Sequence, residues 1–137
     1  MPKFPRSVAI LFGAFGLCTA PLVMLPISSA SAAALTAADT DKDGTIDLNE
    51  AKAAASVEFD KLDKDKDGTI DLKEAAHHVS KANFSAANSD NDKTLTKDEY
   101  LALVTKLFRA ADKENDGTID SKELHSKAGI ELDRAIR

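Results

Sequence analysis

Acidic residues recur at every second position in four twelve-residue segments of this chain, and each segment ends on a glutamate. Asp39, Asp41, Asp43, Asp47 and Glu50 form the first set, and Asp63, Asp65, Asp67, Asp71 and Glu74 the second. Asp112, Glu114, Asp116, Asp120 and Glu123 form the fourth. A hard cation prefers oxygen ligands, six to eight of them for calcium, at about 2.3–2.6 Å. Alternate side chains at positions one, three and five would supply them. A backbone carbonyl would serve at position seven (Thr45, Thr69, Thr94 and Thr118) and a two-oxygen glutamate would close the cage at twelve. Gly44, Gly68 and Gly117 at position six permit a sharp turn that a β-carbon opposes.

The third set is worn. Asn88 replaces the charged opener, Lys93 the glycine and Thr96 the ninth-position acid, while Asp90, Asp92, Thr94 and Glu99 remain in register. Lys93 requires a left-handed backbone and brings a positive charge towards the cation. The segment therefore reads either as a weak site or as a structural partner for loop 2. Loop 4 keeps its glycine but carries Glu114 where aspartate is usual. Together these segments follow the loop pattern of an EF-hand. Loops 1, 2 and 4 each gather five carboxylates. Attraction between such a cage and an ion grows with ionic charge, so a trivalent ion of calcium-like size would gain more than calcium. Charge count alone leaves both open.

The loops open at residues 39, 63, 88 and 112, a period of 24 to 25 residues. That regularity organises the chain. An EF-hand with its own entering and exiting helices needs about 30 residues or more, so neighbouring loops here must share helices. Leu48, Ala51, Ala55, Phe59 and Leu62 make an apolar stripe that predicts a helix over 48–62. Tyr100, Leu103, Val104, Leu107 and Phe108 predict another over 96–111. Each would be about 22 Å long. The segment 72–87 is less continuous, and Ser80 is a candidate N-cap where the chain turns back. Such a fold is an all-α small helical bundle, with loops 2 and 3 paired at one end and loops 1 and 4 at the other. Ile46, Ile70, Leu95 and Ile119 at position eight would form short strand pairings between partner loops. Leu124, Ala128, Leu132 and Ile136 would cap the core, with Gly129 interrupting the last helix. Tyr100 reads as a core residue, and one that could report on a nearby ion by fluorescence.

The first third is of another kind. Lys3 and Arg6 precede an apolar run over 8–17, and the small residues Ala30-Ser31-Ala32 follow. That order predicts a secretory signal peptide, residues 1–32, ahead of a four-loop domain over 33–137. Pro21 and Pro26 interrupt the apolar stretch and argue against a retained anchor. Cys18, the one cysteine, lies within it, so the remainder has no thiol for disulfides or zinc. Cleavage leaves only Ala33–Ala38 ahead of loop 1, barely one helical turn.

The full chain has a net charge of −5. Without Lys3 and Arg6 the remainder holds 16 basic and 23 acidic residues. Such a domain repels nucleic acid and attracts cations. Few aromatics and many alanines make a thin core, so metal binding is expected to supply much of the folding free energy.

Four EF-type loops at this spacing behind a signal peptide resemble the lanmodulin family. The segments Phe59–Asp63, Lys66–Thr69, Glu99–Ala102 and Asn115–Asp120 are similar to that family's. The resemblance covers about residues 39–137. It implies a periplasmic protein that binds lanthanide(III) ions such as lanthanum selectively over calcium, and becomes ordered on binding through the carboxylates of loops 1, 2 and 4. One departure is clear. Position two holds Thr40, Lys64, Ser89 and Lys113, where the best-known members carry proline, and this removes a constraint on the metal-free loop.

Two other readings stand beside it. One is a periplasmic Ca2+ buffer or sensor. The other is a calcium-folded docking module resembling dockerin, against which four glutamate-closed repeats argue. No nucleophile, phosphate loop or separate acid–base pair suggests an enzyme. His77 and His78 are adjacent, point about 100° apart on a helix and are poor joint ligands. Metal ions are the expected partners. No stable membrane association is expected after signal cleavage, and the state is a monomer or a metal-dependent dimer.

Overall fold

A computed structural model describes residue 35 and residues 37–137; the expected signal peptide lies outside the described residues. The order is β1 (Ile46–Asp47), α1 (Leu48–Leu62), β2 (Thr69–Asp71), α2 (Lys81–Ala87), β3 (Thr94–Thr96), α3 (Lys97–Ala111), β4 (Thr118–Ile119), α4 (Ser121–Leu124) and α5 (Lys127–Ala135). Helices dominate. The strands make two small antiparallel ribbons, β1 with β4 and β2 with β3. Ile46 stands opposite Ile119 in one, and Ile70 opposite Leu95 in the other. All four of these residues are fully buried. Their apolar side chains anchor each ribbon on the bundle, leaving the polar residues beside them in the loops.

The two long helices run between the ribbons in opposite senses. Helix α1 leaves β1 and ends at loop 2, whereas α3 leaves β3 and ends at loop 4. They pack against each other, and α5 packs on α3. Ala51, Ala55, Phe59 and Leu62 are the buried stripe of α1. Tyr100, Leu103, Val104, Leu107, Phe108 and Ala111 are that of α3. Phe59 meets Tyr100 edge-on, ring centroids 5.7 Å apart, and Tyr100 Oη donates to the Ala135 carbonyl at 2.8 Å. That bond lets a phenol occupy the middle of the core. Burial first, and the charge of Glu58 second, push the phenol's pKa well above its usual value.

Three local features differ from the sequence expectation. Leu48 is only partly buried, because the stripe of α1 begins effectively at Ala51. Glu58 is buried although it lies outside the stripe; Lys61 Nζ at 2.8 Å and His78 Nδ1 at 3.4 Å face its carboxylate. Gly129 does not interrupt the last helix. It lies inside α5, where an added β-carbon would fall 2.6 Å from Leu124 Cα and into the Glu123 carbonyl. The glycine is there for a close approach of two backbones. The break falls instead at His125–Ser126, with Ser126 Oγ accepting from Gly129 N–H at 3.0 Å.

The segment after loop 2 forms turns over 72–79 and then α2. Ser80 caps α2, accepting from Asn83 N–H at 3.3 Å. Ahead of loop 1, Asp39 N–H bonds the Leu35 carbonyl at 2.8 Å, one turn of helix, and Leu35 packs on the core. Among the described residues no helix is long and apolar enough to cross a membrane.

Candidate metal centres

Each loop is built from the same local bonds. At position four the backbone turns left-handed at Lys42, Lys66, Asn91 and Asn115. At position six it does so again, at Gly44, Gly68, Lys93 and Gly117, with φ of 91°, 88°, 74° and 88°. A β-carbon on any of the three glycines would meet nothing within 4 Å. The demand at position six is therefore one of backbone angle, not of space. Lys93 meets it at the cost of strain.

This path folds the loop over its own carboxylates. One oxygen of the position-five aspartate takes two hydrogen bonds from the position-seven threonine. For Asp43 and Thr45 these are 2.8 Å from N–H and 2.7 Å from Oγ. The same pair recurs at Asp67–Thr69, Asp92–Thr94 and Asp116–Thr118. The threonines were expected to act only through their carbonyls. Their hydroxyls also fix the neighbouring aspartate, and the presence of threonine at position seven in all four loops was the available signal. The bonds from Thr94 and Thr118 hold Asp92 and Asp116 below the usual carboxylate range.

The closing glutamate is held at both oxygens. Oε2 accepts the position-nine N–H: Asp47 to Glu50 at 3.0 Å, Asp71 to Glu74 at 3.1 Å, Thr96 to Glu99 at 3.1 Å and Asp120 to Glu123 at 3.2 Å. Oε1 accepts the position-two N–H, from Thr40, Lys64, Ser89 and Lys113. The position-nine side chain returns a bond to the glutamate's own N–H, completing a capping box at the start of α1, α3 and α4. Asp47, Asp71 and Asp120 thus each commit one oxygen to the following turn or helix. Amide and hydroxyl donors draw Glu50 and Glu99 below their usual range. For Glu50 the Asp47 amide leads, and for Glu99 the Ser89 hydroxyl.

Position one separates the loops. Asp63 Oδ2 accepts Gly68 N–H at 3.0 Å, and Asp112 Oδ2 accepts Gly117 N–H at 3.2 Å. The other oxygen of each, together with Asn88 Oδ1, is buried and has no hydrogen-bond partner. Leaving such an oxygen unsatisfied costs about 1–3 kcal/mol, and more for a charged group. A bound cation supplies the missing partner, so the residues fit a hard metal ion. In loop 1 the corresponding oxygen of Asp39 is taken up by Lys42 N–H at 2.6 Å and Asp43 N–H at 3.2 Å.

Carboxylate oxygens of Asp39, Asp41 and Asp43 lie within 4.8 Å of one another, as do those of Asp63, Asp65 and Asp67. The crowding has an electrostatic signature at position three. For Asp41, the Asp43 amide pulls the pKa down, but desolvation and the charges of Asp43, Glu50 and Asp39 outweigh it and raise it. Desolvation, then the charge of Asp67, raises Asp65. Glu114 and the acids of loop 3 form no such cluster among the described residues. Loop 3 nevertheless keeps the left-handed turns, the orphaned position-one oxygen and the doubly held glutamate.

The structure separates His77 from His78. His77 is exposed at φ 77°. His78 lies half-buried between Glu58 and the Arg134 carbonyl. Neither approaches a loop cluster.

The EF hand family model matches residues 32–52, 57–74 and 103–126, which take in loops 1, 2 and 4 and leave loop 3 unmatched. The chain carries EF hands and is a metal-binding protein, with carboxylate loops that suit a divalent ion such as Ca2+. No curated protein matches the chain.

Proposed function

We propose that this chain is an exported, periplasmic protein of the lanmodulin type: it loses residues 1–32, captures rare-earth(III) ions in its loops and orders around them. One observation supports the higher charge most directly. Loops 1 and 2 bring three carboxylates within 4.8 Å before the remaining acids are counted, and desolvation together with that crowding raises Asp65 and, against the Asp43 amide, Asp41. Repulsion of this kind is relieved more by a trivalent than by a divalent ion of the same radius. In binding, Asp39, Asp63 and Asp112 would open the cage, the threonine carbonyls would turn inward at position seven, and Glu50, Glu74 and Glu123 would close it. Loop 3 is the weakest site, with Asn88, Asp90, Asp92 and Glu99 as its donors. The biological role is ion capture, buffering or transport, without catalysis.

The EF hand match supports calcium as the ion of a second reading, a buffer or sensor. A competition dialysis separates the two. The chain over residues 33–137 is equilibrated with lanthanum and a large excess of calcium, and bound metal is counted by elemental analysis. Retained lanthanum at three or four ions per chain is expected. Calcium occupying the loops in its place would leave the buffer reading.

A further inference from the structure

Position two divides the four loops into two kinds. In loops 2 and 4 the closing glutamate's Oε1 receives backbone amides alone: Lys64 at 3.1 Å in loop 2, and Lys113 at 2.8 Å and Glu114 at 3.3 Å in loop 4. In loops 1 and 3 a hydroxyl adds itself to the amide. Thr40 Oγ1 lies 2.7 Å from Glu50 Oε1, beside Thr40 N–H at 2.7 Å and Asp41 N–H at 3.4 Å. Ser89 Oγ lies 2.7 Å from Glu99 Oε1, beside Ser89 N–H at 2.9 Å. The two kinds are distributed between the ribbons, because β1 of loop 1 pairs with β4 of loop 4 and β2 of loop 2 with β3 of loop 3. Each pair therefore holds one hydroxyl-clasped loop and one without the clasp.

A glutamate free to rotate loses side-chain entropy when fixed. Short hydrogen bonds to a carboxylate are among the stronger ones available. With the position-nine residue, Glu50 and Glu99 each take four donors, against three for Glu123 and two for Glu74, and these bonds fix the carboxylate plane across the loop mouth. Opening the cage requires that glutamate to swing out, so within each loop pair the added hydroxyl holds it in place.

Resting on the metal-binding reading above, we propose that Thr40 and Ser89 position the closing glutamates through their hydroxyls, and that loops 1 and 3 are the slow-releasing member of each loop pair. Loops 2 and 4 exchange their ions faster. The clasp also compensates loop 3 in part for its missing glycine and its uncharged opener.

Ion release into excess chelator, followed by stopped flow on lanthanum- and calcium-loaded protein, tests this. Bound ions are first counted at equilibrium. Failure to bind overturns the metal reading, whereas full binding with unaltered release overturns only the clasp. Thr40→Val and Ser89→Ala are each expected to speed one slow phase by about fivefold, the loss of roughly one charge-assisted hydrogen bond at an exposed site. Thr40→Ser restores the slow phase. Lys64→Thr and Lys64→Val both remove the lysine charge, and only the threonine variant slows a fast phase. That comparison decides the matter should the loop 1 variants fail to fold. Unchanged release in Thr40→Val and Ser89→Ala, a Thr40→Ser variant as fast as Thr40→Val, or equal release from the two Lys64 variants overturns the proposal.

Discussion

At position six, one dihedral angle decides whether a residue suits the loop. Gly68 turns at φ 88° with open space around it, so Gly68→Ala fits sterically and still destabilises the loop by about 1 kcal/mol. Lys93 already carries that strain at φ 74°. Lys93→Gly is expected to raise the thermal midpoint of the metal-free chain and to strengthen ion binding at loop 3, read as a steeper final step in a metal titration. An unchanged stoichiometry and midpoint would make loop 3 purely a partner for loop 2. The need at position six was legible because glycine advertises it. The left-handed turn at position four was not, since Lys42 and Lys66 carry no compositional mark of it.

Charge at single residues also sets the pH response of the metal-free chain. Glu50 and Glu99 are held below 4.5, the ordinary glutamate value. A lowered carboxylate stabilises the folded loop above its unfolded value, and that stabilisation is lost as pH falls through the lower folded value. Asp41 and Asp65 are raised above 3.8, so their protonation as pH falls offsets part of that loss. Acidification in chelator should therefore lower the thermal midpoint through the lowered carboxylates Glu50, Asp71, Asp92, Glu99 and Asp116. Glu99→Gln should weaken the falling limb, and its cost should shrink as pH drops below the ordinary glutamate value.

At the scale of the element, the long helices are capped at both ends by loop residues. Helix α1 starts on Asp47 with Glu50 in its box and ends on Asp63; α3 starts on Thr96 with Glu99 and ends on Asp112. An ion at either end thus acts on helix stability directly. Both helices were legible from period and stripe, as was the Ser80 cap. The role of Gly129 was not, because a glycine in a helical pattern reads as a breaker until its neighbour's backbone is seen. Gly129→Ala is expected to cost about 1–3 kcal/mol in a urea titration, by driving α5 off Glu123 and Leu124. It should also weaken ion binding at loop 4 more than at loop 2, since Glu123 closes loop 4. Equal loss at both loops would assign the effect to the whole bundle.

For the whole molecule, a surplus of acids works against the folded state, and on the proposed reading bound ions offset it. The described core is built mainly of leucine, isoleucine and valine with interspersed alanines and four aromatics, Phe59, Phe84, Tyr100 and Phe108. The surplus of negative charge is concentrated in the loops at the two ends of α1 and α3, so neutralising it stabilises loops and helices together. Charge and repeat period made this much readable in the sequence. The loop-to-loop differences at positions one and two were not, because they depend on which amides reach each carboxylate. Ion selectivity tests the rare-earth reading most directly. The chain over residues 33–137 is titrated with lanthanum and with calcium in chelator-buffered solution, and helicity is followed by circular dichroism. Helicity is expected to rise with both ions, and under the rare-earth reading the lanthanum midpoint lies at a far lower free-ion concentration. Equal midpoints would contradict it.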